Sequence, residues 1–225
     1  MPDETWPTAI TKIKPNEVRL RGYRIDELMG RISYAEGVYL ALRGELPDSK
    51  VGKLIEACLV SSIDHGVTPP SALAAMNAAS TGATLNASIA SGILAINRWH
   101  GGAIENCMRI LREVLELKES EDTTIEEAAH AYVLSARERK RKLEGFGHRI
   151  HVNDPRTARL FALAEELGLA GDGVKAIRAL EKSMTDVLGK TLPVNVDGAI
   201  GAVLVDLGFE PDVANAFFVM SRVPG

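Results

Sequence analysis

Apolar residues recur at helical spacing almost from end to end of this chain, and that periodicity most constrains its fold. Val51, Leu54, Ile55, Cys58, Leu59 and Ile63 fall on one face of a 3.6-residue turn. Ile104, Met108, Leu111 and Leu115 make a second stripe. Helix starts are written locally. Ser33 with Glu36 forms a capping-box pattern before Val38, Leu40 and Leu42, and Thr124 with Glu127 forms another before Ala128 to Leu134. Asp154-Pro155 reads as an N-cap followed by proline at the first helical position, and Gly168 closes that segment. Only Glu17 to Ile25 alternates well enough for a short hairpin or edge strand. The expected fold class is all-α.

The segment Ser71 to Gly92 is rich in Ala, Ser and Gly. Small side chains let helices approach closely, so this segment is read as interior helices packed against one another. The chain is 46% apolar, which excludes a disordered polymer. Its longest apolar run near the C-terminal end, Gly198 to Leu204, is far short of the ~20 residues of a membrane span. A formal charge of −4 leaves no global footprint for nucleic acid or an anionic membrane. The polar, acidic start Met1-Pro2-Asp3-Glu4 shows no signal peptide. Two cysteines, Cys58 and Cys107, on apolar helical faces are read as reduced core residues of a cytoplasmic protein.

After about residue 105 the chain becomes more charged, up to the run Arg137-Glu138-Arg139-Lys140-Arg141-Lys142. A polar, amphipathic stretch between two apolar ones reads as a smaller lobe inserted into a larger one, with a cleft between them as a place for a ligand. The basic run itself is read first as a solvated helix face, with a phosphate site as the lesser alternative.

Four short segments put polar chemistry where the chain changes direction. These are Asp64-His65-Gly66, His100-Gly101-Gly102-Ala103, Gly145-Phe146-Gly147-His148-Arg149 and Asn195-Val196-Asp197-Gly198. Each has a plain structural reading. A histidine at a helix end serves as a cap or dipole partner, the glycines serve as C-caps, and Asp197 serves as N-cap of a helix from Gly198 to Asp206. No His-x-x-x-His pair, Cys-x-x-Cys or carboxylate cluster has metal-ligand spacing, so no metal is expected. No Walker loop, Gly-x-Gly-x-x-Gly or Gly-x-Ser-x-Gly is present. Acid/base chemistry by histidines and one aspartate, with arginines to hold an anion, is what survives.

In order along the chain, Asp64-His65-Gly66, His100-Gly101-Gly102-Ala103, Gly145-Phe146-Gly147-His148-Arg149, Asp154-Pro155-Arg156, Asn195-Val196-Asp197 and Ser221-Arg222 resemble the citrate synthase superfamily. That superfamily includes citrate and 2-methylcitrate synthases, citryl-CoA lyase and the C-terminal module of ATP citrate lyase. Arg21-Gly22-Tyr23-Arg24-Ile25 and Leu42-Arg43-Gly44-Glu45-Leu46-Pro47 look like its opening element, so the resemblance runs from about Arg21 to Gly225. It implies an all-α fold with a large helical domain (1–105 and 205–225), a small one (106–204), and the active site in the cleft. It also implies a homodimer or higher homo-oligomer, with the small-residue helices of Ser71 to Gly92 packed across the interface.

The implied reaction joins or splits a carbon–carbon bond between the methyl of an acyl-CoA and the carbonyl of a 2-oxo acid. Coenzyme A enters as a thioester substrate, and no tightly bound cofactor is implied. Asp197 matches the base that removes the methyl proton. An apolar setting would raise its pKa. His100 matches the residue that hydrogen-bonds the thioester oxygen, and a helix start would favour its neutral form. His148 matches the residue that protonates the oxo-acid carbonyl. Arg156 and Arg222 match carboxylate binders, for which a planar guanidinium is suited, and His65 matches the histidine that orients the oxo acid. Gly145, Phe146 and Gly147 match a loop whose backbone meets coenzyme A. Arg139, Lys140, Arg141 or Lys142 could meet its phosphates.

The synthases carry an aromatic residue and a Ser-Gly after the matched Asn-Val-Asp. Here Gly198 to Asp206 is closer to the lyase branch, as is Asp64 to Ser71, whereas His100 is the synthase residue. The leading expectation is therefore a citryl-CoA lyase-like enzyme. A citrate or 2-methylcitrate synthase and a non-catalytic CoA-binding member are the alternatives. The family pattern runs a few tens of residues past the position of Arg222, with a further arginine reaching the partner subunit's site. Full activity is expected to need that segment.

Overall fold

A computed structural model describes residues 8–147, 154–189 and 191–225 of the chain. They divide into two compact units, Met1–Ala57 and Cys58–Gly225.

The first unit opens with an antiparallel meander of β1 (Thr11–Lys14), β2 (Glu17–Leu20) and β3 (Tyr23–Arg24). Lys14 faces Glu17 in one turn and Leu20 faces Tyr23 in the other. Arg21 and Gly22 both have positive φ, which lets so tight a hairpin follow the strand twist. The expected hairpin is thus present, with two differences. Strand β1 joins it, and Ile25 begins a short helix, α1 (Ile25–Leu28), instead of ending a strand. Helix α2 (Tyr34–Arg43) has the expected capping box. Ser33 Oγ accepts from the Glu36 N–H (3.2 Å), and the Ser33 N–H donates back to Glu36 Oε2 (2.6 Å). Gly44, with φ +89°, ends it. Arg21 donates from Nε and Nη2 to the Ala41 carbonyl, tying the meander to the last turn of α2. Helix α3 is Ser49–Ser61.

The second unit is helical. Helices α4 (Pro70–Ser80) and α5 (Leu85–Leu94) form an antiparallel-type hairpin pair in close contact. A Cβ on Gly92 would lie 3.0 Å from the Ser71 carbonyl oxygen and 3.3 Å from Ala75 Cβ, so the small residues do allow the approach. The pair is not interior, however. Only Ser71, Ser88 and Gly92 are buried in it, and Leu85 and Leu94 are each 78% exposed. Small residues secure one helix–helix contact, and the other faces of these helices are left largely exposed among the described residues.

Helices α6 (Ala103–Ser120), α7 (Ile125–Glu138), α8 (Pro155–Glu166), α9 (Asp172–Leu188) and α10 (Val196–Asp206) pack together, and α10 lies against α6, α8 and α9. Gly198 to Leu204 are all buried, which explains an apolar run too short for a membrane. Among the described residues no helix is long and apolar enough to cross a membrane. Thr124 and Glu127 complete the second expected capping box. Asp154 caps α8 through the Arg156 N–H at 3.0 Å, with Pro155 at the first helical position and Gly168 in the left-handed region just beyond its end. A 3₁₀ turn, Pro211–Val213, leads into α11 (Ala214–Arg222).

One cap acts at long range. The Asp206 carboxylate, at the end of α10, accepts from the backbone N–H groups of Gly171 (2.8 Å), Gly173 (2.6 Å) and Val174 (3.1 Å) at the start of α9. Helix starts leave these donors unpaired, so a carboxylate here satisfies three at once. Asp206→Ala is expected to cost about 2 kcal/mol of stability, read as a lower urea midpoint with an unchanged m-value.

Candidate active site

A cleft of about 590 Å³ in the second unit gathers His65, His100, Arg156, Asp197 and Arg222. The elements that carry these five side chains are separated by up to about 160 positions in the chain.

His100 sits in the turn between α5 and α6. Asn97 and His100 exchange backbone hydrogen bonds of 2.8 Å each. The glycine pair that follows is required by space. At φ +94°, a Cβ on Gly101 would lie 2.8 Å from Ile96 Cγ2 and Phe218 Cδ1, and one on Gly102 would lie 2.8 Å from the Arg98 backbone. The imidazole is held by a 2.8 Å hydrogen bond between Nε2 and Ser71 Oγ and by the edge of Phe218, with ring centroids 5.3 Å apart at 83°. Burial, and then the nearby Arg222 charge, lower its pKa and keep the ring neutral. The sequence argument assigned that neutrality to the helix start, whereas desolvation is the larger cause in the structure.

Asp197 is in the first turn of α10 but does not cap it. Asn195 is the N-cap, accepting from the Gly198 N–H at 3.1 Å. The simple capping reading of Asp197 therefore fails, and its carboxyl is left to face the cleft. Residues 193–195 are clamped from several sides. The Asn195 N–H donates to the Gly145 carbonyl (3.0 Å) and the Gly147 N–H to the Pro193 carbonyl (2.7 Å). Asn195 Nδ2 donates to the Gly147 carbonyl (2.9 Å), and the Val194 N–H to Glu181 Oε1 (2.7 Å). Burial pushes the Asp197 carboxyl up to about 6, with Asp154 adding to the rise and Arg156 and Arg222 opposing it.

The two arginines differ. Arg156 is gripped by Asp154 through Nε–Oδ1 (2.9 Å) and Nη2–Oδ2 (2.7 Å), and its Nη1 donates to the Ser61 carbonyl (3.3 Å). Much of its charge is already neutralised. Arg222 donates from Nε to the Ser62 carbonyl (2.9 Å) and stacks 4.9 Å from the Phe218 ring centroid. It forms no ion pair among the described residues, and burial lowers its pKa. Ser62 Oγ, buried and without a hydrogen-bond partner among the described residues, lines the same cleft. His65 lies exposed in the turn after α3, at the rim.

Gly145, Phe146 and Gly147 do not line this cleft. Their backbone supports the start of α10, and a Cβ on Gly145 would lie 2.7 Å from Cys107 Sγ. His148 lies outside the described residues. Of the basic run, Arg141 is committed to Glu113 (2.7 and 3.1 Å), whereas Lys142 reaches the cleft. Phe218, which braces both His100 and Arg222, was not singled out by sequence reasoning. No motif marks it, and only its place on α11 reveals it.

The cleft of this helical unit brings together a carboxyl with a raised pKa, a neutral histidine and an arginine without an ion pair among the described residues, an arrangement that can move protons beside a bound anion. The comparisons make the class specific. Residues 41–225 match the sequence profile of the citrate synthase C-terminal domain, and the chain belongs to the citrate synthase family. It is 30% identical over 198 residues to citrate synthase of Haloferax volcanii, covering 86% of this chain and 50% of that protein. The chain thus spans about half the length of the curated relatives it matches. It is similar to the structure of citryl-CoA lyase from Hydrogenobacter thermophilus, with a TM-score of 0.88 and 40% identity over 98% of this chain and 83% of that one. It is also similar to citrate synthase from Thermoplasma acidophilum in a ternary complex with carboxymethyl coenzyme A and oxaloacetate. There the TM-score is 0.70 and the identity 26%, over 86% of this chain and 51% of that one.

Proposed function

We propose that the protein splits or forms the carbon–carbon bond between the methyl carbon of acetyl-CoA and the carbonyl carbon of oxaloacetate, in the manner of a citryl-CoA lyase. The observation that carries this reading is the Asp197 carboxyl, raised to about 6 in a cleft shared with His100 and Arg222. Likeness to the Hydrogenobacter lyase supports the direction. The Thermoplasma complex supports an acyl-CoA and a 2-oxo acid as ligands.

In cleavage, a base takes the proton of the citryl hydroxyl. The bond from the carbinol carbon to the methylene carbon breaks, and its electron pair passes into the thioester as an enolate. A neutral His100 donates an N–H to the developing oxyanion, which is where preorganised donors act most strongly. Protonated Asp197 gives its proton to the methylene carbon, and acetyl-CoA and oxaloacetate leave. Condensation runs the same steps backwards, with Asp197 as base. His148 takes the hydroxyl proton in this scheme, by family resemblance.

The oxo-acid carboxylates fall to Arg222, His65 and the unpartnered Ser62 hydroxyl, with Arg156 in support. Arg222→Ala is expected to raise the KM for citryl-CoA or oxaloacetate about tenfold or more while changing that for acetyl-CoA less than twofold. Equal changes in both would remove Arg222 from this role.

A synthase reading has its own support in His100 and in the Haloferax relative. Incubation with citryl-CoA and mass spectrometry of the products separates the two. Acetyl-CoA plus oxaloacetate marks a lyase, and free CoA plus citrate marks a synthase. Neither product pair, with CoA still bound, marks a non-catalytic member. The assignment of 1–105 and 205–225 to a large domain and 106–204 to a small one belongs to the same reading, as does a cytoplasmic setting with Cys58 and Cys107 reduced. A second copy covering the exposed faces of α4 and α5 is the proposed use of Leu85 and Leu94, and sedimentation velocity reads it as a dimer.

A further inference from the structure

The start of α8 carries a charged pair, and the acid/base scheme uses only one member of it. Asp154 holds the Arg156 side chain at two points, Oδ1 on Nε (2.9 Å) and Oδ2 on Nη2 (2.7 Å), and Oδ1 also accepts the Arg156 backbone N–H (3.0 Å). The Asp154 side chain is 2% exposed, against 24% for Arg156. Arg156 lines the cleft and Asp154 does not. Thr157 Oγ1 donates to the Val194 carbonyl (3.3 Å), which fixes this turn to the segment leading into α10 and Asp197. A carboxylate sealed behind an arginine meets no ligand itself. Whatever it does for the reaction passes through the arginine and through its field.

Among the described residues, the charged and titratable groups that share the cleft with Asp197 come from several elements. Arg156 belongs to α8 and Arg222 to α11. Arg98 and His100 belong to the turn before α6, Lys142 and Glu144 to the chain before Gly145, and His65 to the turn after α3. Cys107 of α6 stays neutral, because burial, and then the Asp197 and Glu144 charges, push its thiol well above the usual range. Glu181 of α9 accepts the Val194 N–H. An arginine close to a carboxylate favours its ionised form. Two arginines act on Asp197 in this way, yet burial prevails, and Asp154 works with burial against them.

Resting on the acid/base reading of Asp197 above, we infer that Asp154 is a positioning residue for the reaction: its two-point grip masks the Arg156 charge, so that Asp197 can hold a proton in a cleft built for anions. The field of a close ion pair falls off faster than that of a single charge, so the pair acts weakly on Asp197. The guanidinium still offers its remaining N–H groups to a substrate carboxylate. The cleft thereby keeps an arginine's directed donors without its full pull on the proton that cleavage delivers to the methylene carbon.

The test is the titration of Asp197 in the free protein, followed by NMR of its carboxyl carbon and assigned by loss of the signal in Asp197→Asn. Asp154→Asn keeps a capping oxygen and removes the charge. Its Asp197 midpoint should fall by about one pH unit or more. Cleavage of citryl-CoA above about pH 7 should then drop about tenfold, and the gap should close as pH falls towards about 5. A merely structural role would lower the rate alike at every pH and leave the midpoint in place. Arg156→Gln unmasks Asp154 and should move the midpoint up. The double variant, carrying both changes, should titrate close to the parent. Should Asp154→Asn fail to fold, Arg156→Gln and the double variant decide, since neither leaves the Arg156 guanidinium without its carboxylate. A midpoint that is unchanged or higher in Asp154→Asn, or the same in Arg156→Gln and the double variant, overturns the inference. Failure of the proposed function looks different. The midpoints would move as expected while the parent neither cleaves citryl-CoA nor condenses acetyl-CoA with oxaloacetate, and Asp154 would then have no reaction to serve.

Discussion

Asp197→Asn is expected to lower kcat for citryl-CoA cleavage by about 10²–10⁴-fold while making the folded protein more stable at neutral pH. The two effects share one cause. Burial raises the Asp197 carboxyl from its ordinary 3.8 to about 6. A carboxyl raised in the folded state binds its proton more tightly there than in the unfolded chain. Its contribution to stability is therefore complete below about pH 3.8 and is lost as pH rises through about 6. Above that, the native state holds an ionised carboxylate in a poorly hydrated place. Asparagine removes the charge, with a gain on the order of 2 kcal/mol after discounting for the partial opening to the cleft. Urea unfolding at pH 8 should show the gain, and unfolding near pH 4 should show almost none. The rate follows the same titration. Condensation needs the carboxylate, so its kcat/KM should fall as pH drops below about 6. Cleavage needs the acid form and should lose rate as pH rises through that value. A variant with unchanged kcat would take Asp197 out of the mechanism, whatever its stability.

Local features of the fold were readable from the sequence because their physics is local. Ser33 with Glu36, Thr124 with Glu127, and Asp154 with Pro155 each act within one helical turn. Features that depend on distant neighbours were not. Asp206 caps a helix that starts about 34 positions earlier, and nothing in its surroundings announces that. The small residues of Ser71 to Gly92 predicted close approach correctly, whereas the single chain leaves most of these helices exposed. Size decides how near two helices come, whereas burial depends on what else surrounds them. At the site, single-residue arguments gave Asp197 two roles; Asn195 takes the cap, and the Asp197 carboxyl lines the cleft instead. His65, His100, Arg156, Asp197 and Arg222 were nominated by motif order, and the structure brings all five to one cleft. Phe218 carries no such motif and emerges only in three dimensions, through its contacts with His100 and Arg222.

Gly198→Ala is expected to be the most damaging small substitution in the second unit, costing roughly 3 kcal/mol or more. A Cβ at this position would run into the carbonyl oxygen of Gly145, and would stand 2.9 Å from Ile177 Cδ1 and 3.0 Å from Val194 Cγ1. The obstacle is backbone and cannot swing aside. Gly145 is itself pinned, because its carbonyl accepts the Asn195 N–H and its own missing side chain leaves room for Cys107 Sγ. Two glycines thus let the 145–147 turn rest directly on the first turn of α10, which carries Asp197. Relieving the clash means moving that turn or that helix, and a shift of about 1 Å at a reacting group costs on the order of 100-fold in rate. The variant should therefore unfold at a lower urea concentration. Where still folded, it should lose kcat with Asp197 intact. Gly37→Ala is the control. Gly37 lies within α2, and its added methyl would meet only Ile32 Cδ1 at 3.8 Å, so a gain of about 0.5–1 kcal/mol is expected there. With the Gly145 carbonyl this close, a side chain as large as an aromatic ring has no room at position 198 of this chain.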